Sequence, residues 1–205
     1  MTDAGLDRYR TPRPQRADAA RNFDAVVAAA FDTFAEDGPD AALEVVADRA
    51  GVGIATLYRN FPTREALLKH LYVTEVQLAI AEAGRIADLS PWDALVAWLR
   101  TFVRHIGAKQ RLATALDPAD EVLDACRTAI LGAAMPVVHR VRGSGDLGTG
   151  ISDDDLTRIV FILGTADFES DAQRQRILDV LLAGIRTKQK EQPGALHGSA
   201  GRPSD

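Results

Sequence analysis

The run of residues 41–69, AALEVVADRAGVGIATLYRNFPTREALLK, constrains the fold more than any other part of the 205-residue chain. It reads as a short helix at about 41–50, a tight turn, a second short helix at 54–60 and the start of a third. Ala47 and Ala50 are small enough for two helices to cross closely. Gly51-Val52-Gly53 supplies the sharp turn, because glycine reaches backbone angles closed to other residues. Leu57 and Phe61 fall on the buried side, and Pro62 cannot continue the second helix. Thr63 caps the next helix, and Glu65 in its first turn suits the positive end of the helix dipole. The order is that of a helix-turn-helix, in which one helix braces its neighbour.

The rest of the chain is also written in helical periods. Phe23, Val26, Val27, Ala30, Phe31 and Phe34 share one face of a first helix that stops near Gly38-Pro39, with Asp40 as the expected cap of the next. A long fourth helix runs from Thr63 to about Ala87. Ser90-Pro91-Trp92-Asp93 is a start signal for a helix carrying Leu95, Trp98, Leu99, Phe102 and Ile106. A short helical piece at about 109–116 is expected before Asp117-Pro118-Ala119-Asp120 repeats that signal, ahead of Val122, Cys126, Ile130, Val137 and Val141. Pro136 is expected to kink this helix. Residues 143–150 hold four glycines and form a loop. Ser152 opens a further helix, and Ser170 to Gln173 makes a capping box for the last. Neither internal repeats nor convincing strands are found.

Composition bounds the function. Hydrophobic content of 46% and charged content of 26% describe an ordinary soluble chain. The single cysteine, Cys126, excludes an internal disulfide and a cysteine-cluster zinc site. The chain opens without a charged-then-apolar leader, and no apolar run approaches a membrane span, so the cytoplasm is the expected location. His70, His105, His139 and His197 are scattered without zinc spacing, and no catalytic triad or carboxylate pair is present. An enzyme, a metal and a cofactor are therefore not expected. The net charge of −5 speaks against a polyanionic partner, but the charge is unevenly spread. Arg49, Arg59, Arg64 and Lys69 face Glu65 alone between residues 49 and 69. Arg8, Arg10, Arg13, Arg16 and Arg21 face Asp18 alone between residues 8 and 21.

The segment resembles the DNA-binding region of the TetR family of bacterial repressors. The match lies in Ala50-Gly51-Val52, Thr56-Leu57-Tyr58, Phe61 and Arg64-Glu65-Ala66-Leu67-Leu68, at several fixed spacings over more than twenty residues. The resemblance covers about Ala17 to Lys69. It implies an all-α chain of about nine helices, with a three-helix DNA-binding head and a helical ligand-binding and dimerisation body. The expected divisions are a flexible basic arm at 1–16, the head at 17–69, the body at 70–190 and a disordered tail at 191–205. It also implies that Tyr58 and Arg64 touch DNA backbone. Base reading is expected of Ile54, Ala55, Thr56, Arg59 and Asn60, on the exposed side of the reading helix. Ala42 and Gly53 stand where the family often caps with threonine and serine, and Glu44 stands where some relatives carry a basic residue.

The expected function is a ligand-responsive regulator, a repressor that binds a palindromic operator as a dimer and is released by a small organic effector. The alternative is a helical interaction module or small-molecule-binding protein without operator binding. Trp98, Phe102, His105, Cys126, Ile130 and Met135 are the expected lining of an apolar effector pocket. The last two helices are the expected homodimer interface, through Ile177, Leu178, Leu181, Leu182 and Ile185 with Leu156, Ile159, Val160 and Leu163.

Overall fold

A computed structural model describes residues 5–86, 88–166 and 168–187. Among the described residues eight α-helices follow one another: α1 (Ala17–Asp37), α2 (Leu43–Arg49), α3 (Ile54–Asn60), α4 (Arg64–Arg85), α5 (Pro91–Thr114), α6 (Glu121–Gly143), α7 (Asp153–Thr165) and α8 (Asp171–Ile185). A 3-10 turn at Asp7–Tyr9 precedes them, and no strand occurs among the described residues. The expected all-helical architecture, with a helix-turn-helix head and a helical body, is the one found. The expected tail at 191–205 and His197 lie outside the described residues.

Side-chain caps set most helix starts. Thr63 accepts from the Ala66 amide, Ser90 from Asp93 and Ser170 from Gln173. Ser152 and Asp155 form a reciprocal capping box. At Ser170 the box is shifted, because the Gln173 side chain accepts from the Glu169 amide. Two expected starts move. α2 begins after Ala42, which offers no side-chain cap, so Asp40 does not play that part. α6 is capped by Asp120, which accepts from Val122, while Asp117 turns on the Ala119 amide. The expected separate piece at 109–116 is the continuation of α5 to Thr114. α6 runs on through Pro136 to Gly143.

Two apolar cores hold the helices. In the first, Phe23, Val26, Ala30 and Phe34 of α1 meet Val46 and Ala47 of α2, Leu57 of α3, and Leu67, Leu68 and Leu71 of α4. Leu112 and Leu116 at the end of α5, and Val122, Cys126 and Ala129 at the start of α6, belong to this same core. The second core packs Leu95, Trp98, Leu99 and Phe102 of α5 on Val137, Val138 and Val141 of α6, Leu156 and Leu163 of α7, and Leu178 and Leu182 of α8. The head therefore does not close on itself; the body supplies part of its interior. Lys69 of α4 reinforces the joint, bonding the Asp120 carboxylate at 2.5 Å and Glu65 at 2.8 Å. These two bonds, Asp120 first, raise the Lys69 ammonium above its usual range.

The opening segment departs from the expected flexible arm. Leu6 is fully buried in the first core, Arg10 donates to Gln77 of α4 at 3.0 Å, and Arg13 makes a two-bond pair with Asp24 of α1. An apolar side chain with a ready groove ties down a segment that has no helical period of its own. At the far end, Gly148 lies against the end of α8: its amide donates to the Ile185 carbonyl at 2.8 Å, and a Cβ there would meet that oxygen at 3.2 Å. One helix, α6, is long and apolar enough by composition to cross a membrane, contrary to the sequence expectation; here Val122, Cys126, Val137 and Val141 bury it in both cores.

His70 of α4 is 2% exposed and meets the Phe23 and Phe61 rings edge-on. Burial first, and the Arg10 charge second, push its imidazole down to about 4. The unfolded chain then takes up a proton near pH 6.5 that the folded chain refuses until about pH 4. The neutral histidine thus favours folding above pH 6.5, and that advantage is lost as pH falls toward 4, by about 3 kcal/mol in all. Urea unfolding midpoints between pH 7 and 4 are expected to fall for the parent chain and to flatten in His70→Phe.

Candidate nucleic-acid interface

The reading helix is built from three local facts. Gly51 takes a φ of 66°, a left-handed angle that turns the chain between α2 and α3. The Val52 amide returns to the Ala47 carbonyl at 3.0 Å and locks the turn. Leu57, fully buried, pins α3 to the head core and fixes which of its faces looks outward. Gly53 caps α3 without a side-chain bond.

That outward face carries the expected residues. Ala55, Tyr58 and Arg59 are exposed, and Ile54, Thr56 and Asn60 are half-buried. Arg59 donates to the Thr56 hydroxyl at 3.1 Å, and the Asn60 amide donates to the Thr56 carbonyl at 2.9 Å. Both side chains are thus laid along the helix, and each exchanges an internal bond for any external one. Arg64 sits differently. From the first turn of α4, one of its terminal nitrogens donates to the Pro39 carbonyl at 2.8 Å and the Ala41 carbonyl at 2.6 Å. It braces the α1–α2 connection, a role that sequence spacing could not reveal because its partners lie more than twenty residues away.

Ion pairs subdue the basic runs. Arg49 pairs with Glu36 at 2.9 Å, Lys69 with Asp120, Arg13 with Asp24, and Arg21 with Asp18. Arg59, in contrast, has no acid partner among the described residues. The α3 face therefore keeps an uncompensated positive charge.

Two matches with known protein families follow this geometry. Residues 26–71 match the model of bacterial regulatory proteins of the tetR family, and residues 90–187 match the C-terminal domain of SbtR-like transcriptional regulators. A TetR transcriptional regulator from Streptomyces coelicolor is 34% identical, with 80% of this chain and 98% of that one covered and a TM-score of 0.61. The chain belongs to the TetR family. A TetR transcription regulatory protein from Mycobacterium vanbaalenii is 27% identical over 85% of this chain and all of that one, with a TM-score of 0.64. The ketosteroid transcriptional regulator of Mycobacterium tuberculosis shares the fold, at 16% identity, a TM-score of 0.61 and coverage of 87% of this chain and 100% of that one. As a TetR-family chain the protein is a DNA-binding transcriptional regulator, and its helix-turn-helix is α2–α3.

The six residues expected to line an effector pocket are spread over both cores and the α4–α5 contact. Trp98 and Phe102 stack at 5.2 Å in the body core, Cys126 is buried in the head core, and Ile130 packs on both. His105 is held between Glu75 at 3.4 Å and Glu82 at 3.6 Å on α4, and Met135 is half-buried on α6. The gap beside Trp98 measures about 10 Å³ and is bounded by Leu95, Leu131, Ala134 and Leu156. A space of that size barely admits one water.

Arg64→Ala is expected to lower the stability of the protein by about 1–2 kcal/mol through two lost charge-assisted bonds. Tyr58→Phe, at an exposed position, is expected to leave stability unchanged. Urea unfolding of both variants beside operator titrations checks this, and an Arg64→Ala variant of parental stability would contradict it.

Proposed function

We propose that this TetR-family regulator is a cytoplasmic repressor that grips a palindromic operator as a homodimer and is released by a small organic effector. The observation that carries this reading is the α3 face, with Leu57 anchored behind it and Tyr58 and Arg59 in front. We assign base contacts to Ile54, Ala55, Thr56, Arg59 and Asn60. Tyr58 takes a backbone phosphate, and Arg64 adds one through the part of its guanidinium not turned to Pro39 and Ala41.

Support for the homodimer comes from what the body leaves outside. Ile162 on α7 and Val180 on α8 are 60% and 72% exposed, and Ile177 is also exposed. Leu178, Leu182, Leu156 and Leu163, expected from their spacing to serve the interface, are consumed by the subunit's own core. A reading helix that sees a short half-site gains length and affinity from a two-fold partner. The effector acts by parting α5 from α6 beside Trp98 and Phe102, where the closed gap opens to admit an apolar molecule. Because the start of α6 and the end of α5 complete the head core, such parting displaces α4 and resets the spacing of the two α3 helices.

Three measurements test the proposal. Light scattering is expected to give a dimer for the parent chain and a folded monomer for Ile162→Glu with Val180→Glu; a dimer surviving both charges sinks the interface. Gel shifts on a palindrome in the chain's own upstream region are expected to weaken steeply with salt, with Tyr58→Phe reducing binding on every sequence alike and Arg59→Ala changing sequence preference. Retention of full affinity in Tyr58→Phe with Arg59→Ala would mean that the protein acts without this operator contact. A screen of small apolar compounds is expected to find ligands that quench Trp98 and release DNA, both effects being lost in Phe102→Trp and Met135→Trp.

A further inference from the structure

A second space lies in the head, away from α3 and from the body. It is a groove of about 440 Å³ between the opening segment, α1 and α4, a volume in the range of small-molecule sites. Pro12, Phe23 and Val27 give it an apolar wall, and Arg10 and His70 give it polar edges. Two of its lining residues carry an orphan nitrogen: Arg10 Nε and His70 Nδ1 are buried without a hydrogen-bond partner among the described residues. Buried polar atoms in native folds are almost always paired, so two orphans on one groove ask for a shared partner.

The chemistry of that partner follows from what is already spoken for. One terminal nitrogen of Arg10 is held by Gln77 at 3.0 Å, so its Nε edge is the one turned to other use. That edge of a guanidinium matches the two oxygens of a carboxylate. His70 is neutral at ordinary pH and offers an N–H donor from Nδ1 in one tautomer. The flanking acids are themselves engaged, Asp24 by Arg13 at 2.8 and 2.6 Å and Asp7 by Gln77 at 2.9 Å and, at 3.8 Å, by the same terminal nitrogen of Arg10 that Gln77 holds. A bulky polyanion would meet these two acids and leave the apolar wall bare. We propose that the groove binds a small organic carboxylate with a compact apolar body, its oxygens on Arg10 and His70 and its body on Phe23 and Val27. Such a ligand would fasten the opening segment to α4.

Benzoate is the test probe, followed by calorimetry and by the ring nitrogen signals of His70 in the full chain. Benzyl alcohol and inorganic phosphate are its comparisons, the first without the charge and the second without the apolar body. At about 10 mM, ten times a millimolar Kd, benzoate is expected to shift the His70 ring signals, and both comparisons to leave them in place. Arg10→Gln is expected to weaken benzoate by about tenfold or more. Val27→Trp, which fills the groove, is expected to abolish the shift while circular dichroism stays helical. Silence of the His70 signals, unchanged affinity in both variants, or equal binding of either comparison would overturn the proposal. The operator reading is independent of each outcome.

Discussion

Everything in this fold hangs on α4 closing one interior that head and body share. Its Leu67, Leu68 and Leu71 close the head, and farther along Val73 and Val76 meet the ends of α5 and α6 in the same core. Dense interiors shift between discrete packings instead of yielding gradually. A head whose core is partly made of body residues cannot ignore the body. The Lys69–Asp120 bond adds a polar pin at the point where α4 passes the start of α6. Two separate cores joined by a bare linker would leave the reading helix indifferent to a ligand.

Electrostatics are arranged with the same economy. A net charge of −5 is compatible with DNA binding because Arg13, Arg21 and Arg49 are answered at short range while Arg59 on α3 has no acid partner among the described residues. Non-specific attraction is then weak, and the fit of a few side chains counts for more. Arg64 shows the division of labour: it fixes the α1–α2 connection through two carbonyls, and the placement of α2 against α3 depends on that connection.

In the body, Trp98 and Phe102 stack within the second core, and the gap beside Trp98 is about 10 Å³. Apolar side chains are also left outside, Ile162 and Val180 above all: α7 and α8 each spend one face inward and leave another exposed.

The sequence by itself determined the helices and the helix-turn-helix, because their signals are local. Caps at Thr63, Ser90 and Ser152 sit within four residues of the amides they satisfy, and the Gly51 turn needs only its own backbone freedom. Leu57 was legible as buried and Tyr58 as outward from the 3.6-residue period alone. Tertiary structure decided the rest. Leu6 and Arg10 are anchored by residues of α4 that no local pattern links to them, and Arg64 is claimed by carbonyls of another connection. Periodicity marks an apolar stripe on α8 but not which edge meets its own subunit; Leu178 went inward and Val180 outward because α5 packs against α8 from one side. The pocket candidates divide between the two cores for the same reason: an apolar residue type states that burial is favourable, and only the packing of the helices states against what.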